Sequence, residues 1–207
     1  MGRKKTSELD AVATKQSIVA TAERLFRDIG YAKTTVADIA KALGMSPANV
    51  YRYFPTKAAI NEAICDRLVH SIEAESWESL GEEGTATERL TRFIVAYHTI
   101  IKRSIIKEKK LYDMVAVAMD EHWDVVQQHS YRMCNYISII LEQGMAAGEF
   151  RRMDGYKMAI ALHEALTVFL YPSLLEHRVN ESDGGSSMLE ELEQLLDLLF
   201  YGLSAKA

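Results

Sequence analysis

Apolar residues recur at intervals of three and four along most of the chain, the spacing of helices with one buried face, and no run alternates as a half-buried strand would. An all-α fold is therefore expected. Over 14–30, Ile18, Ala22, Leu25, Phe26 and Ile29 fall on one stripe, and Gly30 closes it as a helix-ending glycine does. A short second helix follows behind Thr34 or Thr35 as its cap, with Val36, Ile39, Ala40 and Leu43 inward and Gly44 ending it. Gly44 can turn the chain sharply, Met45 suits a buried turn position, Ser46 can cap the next helix and Pro47 fits its first residue. Val50 and Phe54, four apart, give that third helix its buried face. Two short helices joined by so tight a turn form a helix-turn-helix. In that motif the first helix holds the second so that its opening residues face a DNA major groove.

The pattern continues with a long fourth helix from near Thr56, carrying Ala59, Ile60, Ala63, Ile64, Leu68 and Ile72 inward, and ending at the loop beginning with Gly81. Further helices are expected over 87–104, 107–122, 123–147, 154–178 and 188–203, about nine in all. Pro172 should kink the penultimate helix or restart it. The polar stretch 180–187 reads as a linker.

Charge changes this picture more than composition does. Residues 1–57 carry ten Lys or Arg against five Asp or Glu, while residues 58–207 carry fourteen against twenty-four, so a basic first quarter precedes an acidic body. That asymmetry points to a polyanion partner at one end only. The basic opening, with Arg3, Lys4 and Lys5, has no apolar segment behind it and is expected to be a flexible arm rather than a secretory signal. No apolar run approaches the roughly 18 residues of a membrane span, so no membrane association is expected and the cytoplasm is the expected location. Cys65 and Cys134 lie in separate helical patterns and read as two buried thiols in a reducing compartment.

The third helix supplies the chemistry for reading DNA. Pro47, Ala48 and Asn49 occupy its exposed first turn, where small residues let the backbone approach. Asn49 offers a donor and an acceptor to a base edge, and Pro47 or Ala48 can meet a thymine methyl. Tyr51, Arg52, Tyr53 and Lys57, with Ser46 and with Thr34 or Thr35 beside them, carry groups suited to phosphate oxygens.

The stretch "FRDIGY" followed by "TTVADIAKALGMSPANVYRYFPTKAAI" resembles the DNA-binding signature of the TetR family of transcriptional regulators in order, spacing and residue type. The resemblance covers residues 14 to about 62 closely and beyond Leu68 is one of architecture. It implies a helix-turn-helix DNA-binding domain over 12–62 and a helical effector-binding and dimerisation domain over 63–207. It further implies a homodimer binding a double-stranded operator. By position in the motif, Pro47, Ala48 and Asn49 take base-facing places, and Thr35, Tyr51, Tyr53 and Lys57 phosphate-contacting ones. Tyr53 departs from the histidine of many members, though its hydroxyl can still meet a phosphate. The last two helices are the implied dimer interface. Their stripes, Met158, Ala161, Leu162, Ala165, Leu166 and Phe169, then Leu189, Leu192, Leu195, Leu196 and Leu199, are broad enough to bury one side inward and another on a partner.

In the body, Tyr97, His98, Trp123, His129, Tyr136 and His163 combine apolar surface with polar tips and are the candidate lining of a small-molecule effector pocket. His122 and His129, and His163 beside Glu164, show no zinc-ligand spacing, so neither metal nor cofactor is expected. No nucleophile elbow, phosphate-cradling loop or acidic pair marks a catalytic residue, and an enzyme is not expected. The preferred reading is a repressor released from a near-palindromic operator by an effector. Activation, or DNA binding without an effector, is the alternative within the class, and a small helical enzyme the alternative outside it.

Overall fold

The computed structural model describes residues 2–107, 109–120, 124–181 and 187–205. Eleven helices form among them: α1 (Gly2–Ile29), α2 (Val36–Ala42), α3 (Pro47–Tyr51), α4 (Lys57–Glu78), α5 (Ala86–Lys107), α6 (Lys109–Asp120), α7 (Asp124–Ala146), α8 (Gly155–Ala165), α9 (Thr167–Leu170), α10 (Pro172–Glu181) and α11 (Ser187–Leu203). The described residues contain no strand, only an isolated antiparallel bridge between Phe150 and Ser204.

The chain divides into two compact units, residues 1–68 with 108–126 and residues 69–107 with 127–207. The expected boundary at 62/63 puts α6 in the second domain; by its contacts α6 groups with α1 in the first unit, where the Lys110 ammonium donates to the Asp28 carbonyl. The core of the first unit contains Ile18, Ala22, Phe26, Ile39, Val50, Ile60 and Ile64, all without solvent exposure. The flexible arm expected at the start is instead part of α1, which begins at Gly2.

The second unit buries Leu90, Phe93 and Ile94 of α5, Met133, Ile137 and Leu141 of α7, Leu162 of α8, and Leu192 and Leu196 of α11. Its loops are tied by long side chains. Arg92 donates to the carbonyls of Leu80 and Glu83, and the Glu149 carboxylate accepts from the amides of Ala86 and Thr87, which open α5 without helical partners. The single penultimate helix expected over 154–178 is three pieces. Pro172 has no N–H and opens α10, with Tyr171 before it extended at φ −88°, ψ 120°. A second break falls at Leu166 (φ −93°, ψ 0°), where no proline or glycine signals it.

Candidate nucleic-acid interface

Local chemistry builds the helix-turn-helix. The Thr35 side chain accepts from the Asp38 amide while the Asp38 carboxylate accepts from the Thr35 amide (2.9 Å) and hydroxyl (2.6 Å), a capping box that fixes the start of α2. Those hydrogen bonds from Thr35 hold the Asp38 carboxyl below the usual carboxylate range. At the other end Gly44 is left-handed (φ +65°), Met45 N–H donates to the Ala40 carbonyl (2.9 Å) and Gly44 N–H to the Lys41 carbonyl (3.2 Å). This pair of bonds is a Schellman cap, and it reverses the chain within two residues. Ser46 then caps α3 by accepting from the Asn49 amide (3.2 Å), with Pro47 in the first turn.

Val50 is fully buried and Phe54 is 8% exposed, so α3 is pinned by the two residues the spacing selects. The opposite side presents Ser46, Pro47, Ala48, Tyr51 and Arg52 as exposed, with Asn49 and Tyr53 half-buried. Thr35 is exposed beside them at the start of α2. The surface is thus a short, small-residue helix end flanked by hydroxyls, an amide and a guanidinium.

Two expected contact residues are placed differently. Thr34 is 1% exposed and its hydroxyl donates to the Gly30 carbonyl (2.9 Å), so it seals the end of α1. The Lys57 ammonium donates to the carbonyls of Tyr31 (2.9 Å) and Thr34 (3.1 Å) and sits 4.1 Å from the centroid of the Tyr31 ring, which in turn packs edge-on against Phe26. Lys57 therefore locks the α1–α2 loop, and with it Thr35, to the first turn of α4. Sequence reasoning missed Tyr31 as this platform and Asp38 as the reciprocal cap, although Thr35-x-x-Asp38 carries the capping spacing openly.

The described candidate effector residues make separate contacts in the second unit. Tyr97 and His129 stack at 5.6 Å and are hydrogen-bonded, Tyr97 hydroxyl to His129 Nε2, at 2.5 Å. His129 Nδ1 donates to Glu73 (2.6 Å), whose carboxylate also accepts from Arg132 Nε at 2.8 and 3.0 Å. The carboxylate can only accept, so it requires a proton on Nδ1. Burial would push the Glu73 carboxyl up, but the hydrogen bonds and charges of His129 and Arg132 outweigh it and hold the group below its ordinary value. Glu73 and Arg132, neither of them expected, are the centre of this buried polar chain.

His98 lies elsewhere, 1% exposed, with Nδ1 donating to the Phe169 carbonyl at 2.8 Å. Burial lowers its pKa against that bond. Tyr136 packs with Trp77 (4.7 Å) and Phe93 (6.0 Å) in an aromatic cluster. His163 borders an open groove of about 450 Å³ between α7 and α8. Trp123 lies outside the described residues. No group of three or more His, Cys, Asp or Glu able to hold a metal forms among the described residues, and none of their helices is long and apolar enough to cross a membrane. Both cysteines are buried free thiols, with Cys65 pushed up to about 12 chiefly by burial.

Comparison with known proteins agrees with this architecture. Residues 18–64 match the model for bacterial regulatory proteins of the tetR family, and residues 86–183 match the tetracyclin repressor-like C-terminal domain. The chain is 24% identical over 153 residues to the HTH-type transcriptional regulator EthR of Mycobacterium tuberculosis, covering 71% of this chain and 69% of that one. It is 37% identical over 75 residues to the regulator TtgR of Pseudomonas putida, 35% of this chain and 36% of that one. A TetR-family regulator from Pectobacterium atrosepticum superposes with a TM-score of 0.68 at 17% identity, covering 96% of this chain and 97% of that one. The chain belongs to the TetR family and is a helix-turn-helix transcriptional regulator.

Proposed function

We propose that this regulator represses transcription by binding a near-palindromic operator as a homodimer, and that a small-molecule effector releases it. The observation that carries the reading is the exposed first turn of α3, held out by the Gly44 cap and pinned from behind by Val50 and Phe54. Pro47, Ala48 and Asn49 meet base edges, while Thr35, Ser46, Tyr51, Arg52 and Tyr53 position the helix on phosphates. Lys57 contributes to the backbone grip mainly by fixing Thr35, and Thr34 leaves the contact set. The first unit reads DNA; the second takes the effector and the partner copy.

Dimerisation runs through α8 and α11. Ala161 and Ala165 are exposed on α8, small enough for close helix approach, and α11 leaves Leu198 69% and Tyr201 78% exposed. A two-fold dimer sets two recognition helices about 34 Å apart, one turn of B-DNA. The effector favours a dimer in which that spacing no longer holds. The protein works in the cytoplasm by binding, without catalysis or a bound metal.

Fluorescence anisotropy against duplexes from upstream of the protein's own gene, at two salt concentrations, tests the reading. Selective binding should weaken steeply with salt and disappear in an Asn49→Ala, Tyr51→Phe double variant. Equal binding by the double variant would remove α3 as the reading element.

A further inference from the structure

The groove between α7 and α8 in the second unit is lined by none of the candidates Tyr97, His98 and Tyr136. Its volume of about 450 Å³ falls within the range of small-ligand sites, roughly 300–1,000 Å³. Its chemistry is one-sided. Tyr131 from α7, Tyr156 from α8 and Tyr171 just before α10 line it, with Ile160, Glu164 and the uncharged Ser130, Cys134 and Thr167. Tyr131 is 57% and Tyr156 37% exposed, so two of these rings stand at an open wall.

Among the described residues no lysine or arginine lines the groove. Burial, with a smaller effect of His129, holds the His163 imidazole below its ordinary pKa against the opposing charge of Glu164. The geometry points to a binding site for a small organic cation, an amine or quaternary ammonium whose charge lies among the three tyrosine rings and against Glu164. Ring faces attract a cation through their quadrupole, and a carboxylate at one end supplies the counter-charge. An anion of the same size meets negative ring faces and Glu164 with no compensating donor of positive charge.

The inference names the ligand class of the proposed effector and rests on that reading only for its consequence at DNA; binding itself is independent of it. The test uses the full chain without DNA and isothermal titration with acetylcholine, its neutral carbon isostere 3,3-dimethylbutyl acetate, a series of tetraalkyl- and benzyltrialkylammonium ions, and benzoate. At least one ammonium ion should saturate one site per chain, with the neutral isostere and benzoate weaker by about tenfold or more. Glu164→Gln should weaken that ion about tenfold and Tyr131→Leu severalfold, with circular dichroism unchanged because both side chains are exposed. Tyr131→Phe, which keeps the ring, should retain binding. Binding of none of the ammonium ions, or equal affinity for the neutral isostere, overturns the site; so does indifference to Glu164→Gln, or a groove closed by a second copy so that affinity rises only on dilution to monomer. Titrating the same ion into the protein–operator complex separates the two readings. Binding that leaves the complex intact keeps the cation site and removes it as the effector site.

Discussion

Removing the Glu73 carboxylate should cost more than any surface ion pair. Its side chain is 3% exposed, those of His129 and Arg132 are 12% and 26% exposed, and it accepts three hydrogen bonds at 2.6–3.0 Å from them. Breaking a buried pair by deleting one partner costs about 3–5 kcal/mol, whereas exposed pairs are worth about 0–1 kcal/mol. The quarter exposure of Arg132 lets its guanidinium recover some water, which reduces the expected loss for Glu73→Gln to about 2–4 kcal/mol. With a urea dependence of about 2 kcal/mol per molar, the unfolding midpoint should fall by about 1–2 M, followed through tryptophan fluorescence. Arg132→Met should cost much less on the Glu73→Gln background than on the wild type, since the two share one interaction. The sign with pH follows from the lowered pKa: the contribution is whole above the ordinary carboxyl value of 4.5 and is lost as pH falls through the folded-state value. The gap between wild type and Glu73→Gln should therefore close in acid. A midpoint shift below about 0.3 M near neutrality, or a gap that stays constant into strong acid, refutes the reasoning.

Lys57→Met should destabilise the first unit by about 1–2 kcal/mol, from its two partly buried charge-assisted bonds, while changing the salt slope of operator binding by less than the roughly 0.9 of one phosphate contact; a full-unit change would return the ammonium to the DNA. Gly44→Ala meets no atom within 4 Å and should lose about 1 kcal/mol in a denaturant titration for its left-handed backbone alone. Gly144→Ala drives a methyl into the Phe150 ring and to 2.8 Å from the Ala86 methyl, and should lose about 2–3 kcal/mol, so equal melting temperatures for the two would contradict the packing. Burial lowers the pKa of His98 and of His163 from 6.5, so their contributions are present above that pH and are lost as pH falls through the folded-state values. His98→Gln should flatten the resulting decline in melting temperature between pH 7 and 5.

The helix-turn-helix was legible because its determinants are local. Gly44, Ser46 and Pro47 each act on the backbone within a few residues, and Val50 and Phe54 declare their face by spacing alone. Thr34 and Thr35 mark where that legibility stops. Both can cap α2, and which one faces solvent is decided by Gly30, whose left-handed turn (φ +103°) leaves a carbonyl within reach of the Thr34 hydroxyl. Lys57 turns inward for a similar reason: two loop carbonyls and the Tyr31 ring, 23 to 26 residues upstream, hold a charge that the local pattern assigns to solvent.

The second unit hides its polar chemistry more deeply. Nothing near Leu166 announces a helix break, but the break and Pro172 together leave the Phe169 carbonyl without its helical partner, and His98, 71 residues earlier, supplies the missing donor. In the same way Glu73 sits on an apolar stripe where a carboxylate is unwelcome until His129 and Arg132, 56 and 59 residues later, arrive to satisfy it. Hydrophobic periodicity locates such positions as buried without saying what they will meet. Of the six polar-tipped residues grouped as one pocket, the described ones meet different partners: Tyr97 and His129 serve a chain of hydrogen bonds, His98 a broken helix, Tyr136 an aromatic cluster. Of the five that are described, only His163 borders the groove, which takes its character from tyrosines exposed enough to pass for ordinary surface residues.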